Sequence, residues 1–385
     1  MGTKQKQLLD QQQGFRTGRG TTDGIFLAKA LQQIAKKTGK EINVLFVDLT
    51  AAFDHIDRRW LFKTIKQRLQ NDIDCKLFDL LETLYSSTTS ALAGHELNKF
   101  IIELGVRQGG SESPLLFNLY LDYVMRVFLV ECARQNVKFV KLKYSIPKSA
   151  FMSNSLLGEY GANVFNWIGY ADDLLLAFAD RDNLEKGLRI LNHVFKRFRL
   201  AINIGKTKTM IYSYQGSVEE YPTSIASINE ENIENVKAFI YLGSQIHYDQ
   251  ATTGEAEITS RIDMAESKFY EHGKKFMNYR IKLSVRISII NSLVRSRLTY
   301  GCQTWILTTA QKDRINAAYT SIIRKMVRGG YKRKQDEWGY KLTNQNLLDL
   351  CKTETISAFT ERQKRRYLAH VIRLPNTSVI KRILF

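Results

Sequence analysis

The chain has little cysteine, little proline and a deficit of acid. Its four cysteines, Cys75, Cys132, Cys302 and Cys351, lie far apart in 385 residues, with no CxxC pair and no Cys/His cluster. Neither a structural zinc site nor a disulfide framework is indicated, and reduced, mostly buried thiols are expected. Four prolines, at 114, 147, 222 and 375, leave few obvious linkers. No apolar stretch reaches the roughly 18 residues that a membrane span needs, and Met1-Gly2-Thr3-Lys4-Gln5-Lys6-Gln7 has no apolar core of a secretory signal. An intracellular protein, cytoplasmic or nuclear, without a membrane partner is expected. The 38 Asp and Glu face 57 Lys and Arg, a net charge of +19. That imbalance says nothing about fold but favours polyanionic partners, nucleic acid first.

What acid there is stands in telling places. Tyr170-Ala171-Asp172-Asp173 lies between the apolar runs Val164 to Gly169 and Leu174 to Ala179, the pattern of a β-hairpin with two carboxylates at its turn. Carboxylate oxygens suit hard divalent cations such as Mg²⁺. A third acid, Asp48, closes the run Val44-Leu45-Phe46-Val47, which is too short and too β-branched for an isolated helix and fits a buried strand. Meeting on neighbouring strands, the three could hold two metals roughly 3.5 to 4 Å apart, the arrangement that clamps attacking and leaving oxygens in phosphoryl transfer. The plainer reading of Asp172-Asp173 is a turn pair, since acids are common in turns.

Periodicity organises the rest. Ile25, Leu27, Ala28, Leu31 and Ile34 predict a helix over residues 24 to 40 with Gly39 as its stop, and helices are also predicted through Trp60, Ile65 and Leu69, over 115 to 129, and over 183 to 200. Thr209 to Tyr212 reads as a strand. Beyond about residue 250, Ile258, Ile262, Ala265, Phe269 and Phe276, then Val285, Ile289, Leu293 and Leu298, recur at helical spacing.

In order along the chain, Gln13-Gly14-Phe15-Arg16-Thr17-Gly18-Arg19-Gly20-Thr21, Phe46-Val47-Asp48-Leu49-Thr50-Ala51-Ala52-Phe53-Asp54, Gly105-Val106-Arg107-Gln108-Gly109-Gly110, Tyr170-Ala171-Asp172-Asp173, Lys206-Thr207-Lys208 and Tyr241-Leu242-Gly243-Ser244 resemble the blocks of reverse transcriptases of non-LTR (LINE-like) retrotransposons. A lone YADD means little; six blocks in one order are specific.

The resemblance implies an α+β right-hand polymerase with an antiparallel-sheet palm and a helical thumb. It implies partial fingers and palm over 1–250, thumb over 251–335 and a basic segment over 336–385. Asp48 and Asp172 would be the principal metal ligands and Asp173 a secondary one, with two Mg²⁺ ions, or Mn²⁺, as cofactor. Phe53 would pack under the nucleotide sugar and exclude a 2′-hydroxyl; otherwise it is a core phenylalanine. Gln108 and Gly109 resemble the loop that contacts incoming nucleotide and template, though Gly110-Ser111-Glu112-Ser113-Pro114 follows where an acid is commoner. Arg16, and Arg19 beside it, would grip triphosphate, as guanidinium forks suit phosphate; a solvated surface arginine is the alternative. Lys206, with Lys208 as rival, would donate a proton to pyrophosphate. Tyr241, Leu242 and Gly243 resemble a primer grip.

Over 312 to 334, Lys312, Arg314, Arg324, Lys325, Arg328, Lys332, Arg333 and Lys334 face one acid, Asp313. Such uncompensated charge suits a duplex backbone; the other reading is a solvated face. The implied partners are an RNA template, a DNA or RNA primer and dNTPs. Two other outcomes stand beside reverse transcription: a truncated, inactive nucleic-acid-binding remnant, and an RNA-dependent RNA polymerase, against which Phe53 argues. Because little sequence precedes Arg16, weak and poorly processive synthesis is expected of this chain alone.

Overall fold

The computed structural model describes residues 8–69, 72–86, 89–91, 99–142, 164–217, 219–331 and 343–384. They form two compact units, Met1–Lys237 with Pro375–Phe385, and Ala238–Leu374.

The first unit is built on a four-stranded antiparallel sheet. Helix α1 (Thr21–Thr38) ends at Gly39, whose φ of 62° is the left-handed stop expected there. Strand β1 (Ile42–Val47) follows, then α2 (Arg58–Lys66), α3 (Asp72–Ser86), the short β2 (Thr89–Ala91) and β3 (Lys99–Ile101), and α4 (Ser113–Arg134). Next come β4 (Val140–Lys141), β5 (Val164–Phe165), β6 (Trp167–Tyr170), β7 (Asp173–Phe178), α5 (Arg181–Arg197), β8 (Lys208–Tyr212), β9 (Ser224–Ile228) and β10 (Glu231–Glu234). The sheet order is β6-β7-β1-β8.

Every residue of β1 is buried, because helices cover both faces of its sheet. Leu45 and Val47 join Trp167, Leu174, Leu176 and Phe178 in one core with Phe117 and Leu121 of α4 and Leu188 and Phe195 of α5. The alternate residues Val44 and Phe46, paired with Ala177 and Leu175, turn by strand periodicity to the other face, where α1 packs on β1, β6 and β8.

In the second unit, β11 (Ala238–Tyr241) and β12 (Ser244–His247) form a hairpin that packs on α6 (Gln250–Glu271). Then follow α7 (Gly273–Phe276), α8 (Leu283–Ile290), a π-helical turn over Asn291–Arg295, α9 (Ser296–Leu298), α10 (Thr309–Tyr331), α11 (Asn344–Leu350) and α12 (Ile356–Arg373). Their core contains Ile258, Ala265, Phe269, Phe276 and Leu298 of the predicted stripe. The chain then rejoins the first unit as α13 (Val379–Leu384), which packs on α1. The division thus falls at Lys237/Ala238, and the segment 336–385 is shared between the units.

The α+β class and the antiparallel sheet agree with expectation. No described helix is long and apolar enough to cross a membrane. The cysteines are unbridged, with Cys75 exposed and the other three buried.

Candidate active site

Two devices bring the acids together. The register Val47↔Leu174 carries Asp48, one residue past the end of β1, to the level of Asp173. The β6–β7 hairpin is tight: Tyr170 pairs with Asp173, leaving Ala171 and Asp172 as its turn. Ala171 takes φ of 56°, in the left-handed region that costs a residue with a Cβ roughly 1–2 kcal/mol.

The carboxylates feel one another. Asp173 has its pKa raised to about 6, first by crowding of its carboxyl by protein atoms, although the residue is exposed, and then by Asp172 and Asp48; Lys206 acts in the opposite sense. Asp172 is also raised, again by burial first and with Asp48 contributing. Lys206 Nζ stands 3.7 Å from the Asp48 carboxylate, with most of its side chain exposed. Its loop is pinned to the same acid: Asn203 N donates to Asp48 O (2.9 Å), and Asp48 N donates to Thr207 Oγ1 (3.3 Å). Lys208 is engaged elsewhere, with Gly205 O and Glu234 Oε2, each at 2.7 Å. Of the two lysines, Lys206 faces the acids.

Among the described residues no three of His, Cys, Asp and Glu are grouped so as to hold a metal ion by themselves. Mg²⁺ asks for less, one or two carboxylates with water and substrate phosphates. Hard oxygen donors whose pKa values are raised by burial first and by neighbouring carboxylates second fit such an ion, which would offset both. The raised pKa of Asp173 means that the folded protein holds this proton more tightly than the unfolded chain. The contribution of Asp173 to metal-free stability therefore falls as pH rises from the ordinary carboxyl value of 3.8 to about 6, and stays lower above it. Millimolar Mg²⁺ is expected to raise the Tm more at about pH 8 than at about pH 5, and Asp173→Asn to raise the metal-free Tm at the higher pH. Equal Mg²⁺ gains at both pH values would contradict this electrostatic picture.

Phe53 is half-buried, stacked on Phe117 at 4.3 Å and 18° and met edge-on by Phe15 at 6.3 Å. It is tied to the Gln108 loop: Val106 N donates to Phe53 O (3.0 Å), and Gln108 Nε2 to Asp54 Oδ1 (3.3 Å). At Gly105, with φ of 78°, an added Cβ would meet Asp54 O at 2.9 Å. Gly109, at φ of 81°, faces open space.

Arg16 does not reach outward as a free fork. Its Nη1 donates to Leu9 O (2.8 Å) and Gln12 O (2.9 Å), and burial lowers its pKa from the ordinary value. Arg19 pairs with Asp10. In the second unit, Tyr241 pairs with Ser244 across Leu242 and Gly243, whose φ values of 47° and 75° give a two-residue hairpin loop. A positive φ at both central positions marks a type I′ turn. Tyr300 Oη donates to Leu242 O (3.0 Å), and Arg261 to Gly243 O. Glu257 accepts from Arg261 Nε, Ser244 Oγ and Gln245 N. Lys332, Arg333 and Lys334 lie outside the described residues.

Sequence reasoning passed over Gln12, Asn118 and Arg58. Arg58 donates to Gly105 O and Tyr85 O, each at 2.9 Å, and so anchors the glycine loop. Its only sequence signal is a cation beginning an otherwise amphipathic helix.

Known proteins share sequence with this chain. Residues 3–246 match the family described as reverse transcriptase (RNA-dependent DNA polymerase). A transposon-derived protein of Caenorhabditis elegans is 26% identical over 49% of this chain and 62% of its own length. A Drosophila melanogaster protein described as a probable RNA-directed DNA polymerase from transposon X-element is 23% identical over 82% of the chain and 31% of its own length. A Popillia japonica protein, the retrovirus-related Pol polyprotein from type-1 retrotransposable element R2, is 24% identical over 62% of the chain and 31% of its own length. The chain thus spans between 31% and 62% of the length of these relatives. Alongside relatives named for transposons and for a type-1 retrotransposable element, and with the three acids, the glycine loop and the lysine block in order, the chain belongs to the reverse transcriptase (RNA-dependent DNA polymerase) family.

Proposed function

We propose that this chain carries the palm of an RNA-directed DNA polymerase, which extends a primer 3′-hydroxyl with dNTPs on an RNA template. The observation that carries the reading is the meeting of Asp48, Asp172 and Asp173 at one end of the sheet, where Asp48 adds to the upward shift that burial gives Asp172 and Asp173, with Lys206 beside them. Divalent ions, two Mg²⁺ in this reading, would be held by Asp48 and Asp172, with Asp173 beside them. They would activate the attacking oxygen and steady charge on the leaving one.

The chain's own groups do the rest. The turn presents Asp172 and Asp173, while β1 presents Asp48. Phe53, backed by Phe117, forms a wall against the sugar, and the loop at Gln108 and Gly109 lies against the same segment. The open space above Gly109 lets a nucleotide approach the backbone. Arg16 serves the site from behind, through Gln12. The hairpin at Tyr241, Leu242 and Gly243 holds the primer end, and Lys332, Arg333 and Lys334 contact phosphates of the duplex.

Lys206 is the proton donor to pyrophosphate in this scheme. Lys206→Ala is expected to lower kcat by about 100-fold or more, the scale of general acid catalysis. Lys206→Arg, which keeps the charge beside Asp48 but holds its proton too tightly, should fall nearly as far. Full kcat in the Arg variant would reduce the lysine to a charge partner. The parent reading is tested by extension of a labelled primer on a defined RNA template with Mg²⁺, in parallel with dNTPs and NTPs. Incorporation of NTPs in preference to dNTPs, or binding without extension, would overturn it.

A further inference from the structure

The turn that carries Asp172 is held by a side chain far away in sequence. Gln12 is fully buried. Its Nε2 donates to Ala171 O (3.2 Å), and its Oε1 accepts from Ala171 N (3.2 Å) and from Gly14 N (3.0 Å). Two N–H donors fix the oxygen on that side and leave the nitrogen for the carbonyl, so the carboxamide has one consistent orientation. It thus satisfies both backbone groups of the residue at the hairpin's tip. Ala171 is itself buried and in the left-handed region, so without Gln12 these groups would be buried unpaired at a strained position.

The clamp is braced from several directions. Gln13 N donates to Gly169 O (2.7 Å), and Gly169 N to Gln11 O (3.0 Å), so the segment lies alongside β6. Gly14 comes so close that an added Cβ would sit 2.4 Å from Ala171 N. Asn118, fully buried in α4, donates through Nδ2 to Gly14 O (2.7 Å). Arg16 holds Gln12 O from the other side.

We propose that Gln12 is a positioning residue, which fixes the Ala171–Asp172 peptide and thereby sets where the Asp172 and Asp173 carboxylates stand. It touches neither substrate nor metal and acts only through the turn. The side chain must offer a donor and an acceptor in one plane at the end of two methylenes. Asparagine is too short, leucine has the shape without the polarity, and ionised glutamate lacks the donor. This inference rests on the reading of the three acids as the reacting centre.

The test uses the full chain with Gln12→Leu, Gln12→Glu and the control Gln13→Leu, whose side chain is equally buried but bonds to Asp10 O. Three quantities are read: hydrogen exchange over residues 166–176, Mn²⁺ affinity by electron paramagnetic resonance, and kcat and KM for a single dNTP. Gln12→Leu is expected to speed exchange at the turn by about tenfold or more, to weaken Mn²⁺ binding by about tenfold, and to lower kcat by about 100-fold with little change in KM. Displacement of reacting groups by about an ångström has that effect on rate. Gln12→Glu, which keeps both acceptor bonds, should fall between wild type and Gln12→Leu, and it serves if Gln12→Leu does not fold. Gln13→Leu should lose stability but keep the turn's exchange and kcat.

Unchanged exchange in both Gln12 variants, or faster exchange with unchanged kcat, would overturn the proposal, as would an equal kcat loss in Gln13→Leu. Should wild type not extend primers, the reading of the site fails separately. Exchange and Mn²⁺ affinity still decide the clamp.

Discussion

Asp172→Asn is expected to abolish primer extension, with a loss of at least about 100- to 1000-fold in kcat, while RNA–primer affinity and thermal stability stay near wild type. Loss of one preorganised charge-stabilising group costs about that much in enzymes whose chemistry depends on developing negative charge. The folding side of the expectation follows from the local electrostatics. Asp172 has its pKa raised, by burial first and by Asp48 besides, so its charge opposes the fold and its removal does not weaken it. The amide is isosteric, and Gln12 holds the turn through Ala171 and not through the carboxylate. Asp48→Asn should do the same to rate but also frees Lys206 from its ion partner. Extension by Asp172→Asn within about tenfold of wild type would remove this acid from the reacting centre.

Phe53→Val is expected to reduce discrimination against ribonucleotides by about 100-fold, the scale on which a pocket senses the loss of bulk. Phe53 is neither a sealed core residue nor free on the surface. One face is stacked on the buried Phe117, and the ring is only half-buried. A valine keeps the backbone that accepts from Val106 N but withdraws the ring, which makes room beside the sugar. Competition between dNTP and NTP at one template position reads the ratio directly. Unchanged discrimination with a lowered Tm would assign Phe53 to packing alone.

The parts of this site legible in the sequence are those set by local pattern. A buried apolar strand ending in Asp48 and a hairpin with acids at its turn are periodic signals, and antiparallel pairing converts them into proximity. The stop at Gly39 was legible because only a residue without a Cβ enters the left-handed region cheaply. Gln12 was not legible. It meets a residue 159 positions away, and nothing in the run Gln11-Gln12-Gln13 distinguishes the one that bonds the turn from its neighbours. Arg16 looks like any phosphate-binding arginine until its carbonyl partners are seen. The cations of α10 appear uncompensated along the chain, yet Glu255 of α6 pairs with Arg314, and Glu361 of α12 lies 3.7 Å from Lys312. Sequence windows count neighbours along one helix, whereas a bundle recruits them from others.

The return of the chain as α13 has a consequence for the order in which the protein is built. Val379 N donates to Asp10 Oδ2 (3.0 Å) across 369 positions, and the same Asp10 pairs with Arg19 and accepts from Gln13. During synthesis the sheet strands from β1 to β8 emerge early, and domains generally fold as units while later ones are still being made. The segment from Ala238 to Leu374 must be complete before Val379 can reach Asp10. Contacts this distant in sequence form slowly, because loop closure is paid before the contact rewards it. A nascent chain halted before residue 375 would therefore already hold Asp48, Asp172 and Asp173 on one sheet, but the segment around Gln12 would lack its outermost tether. The bond from Val379 to Asp10 would come last, once translation has passed through the whole helical unit.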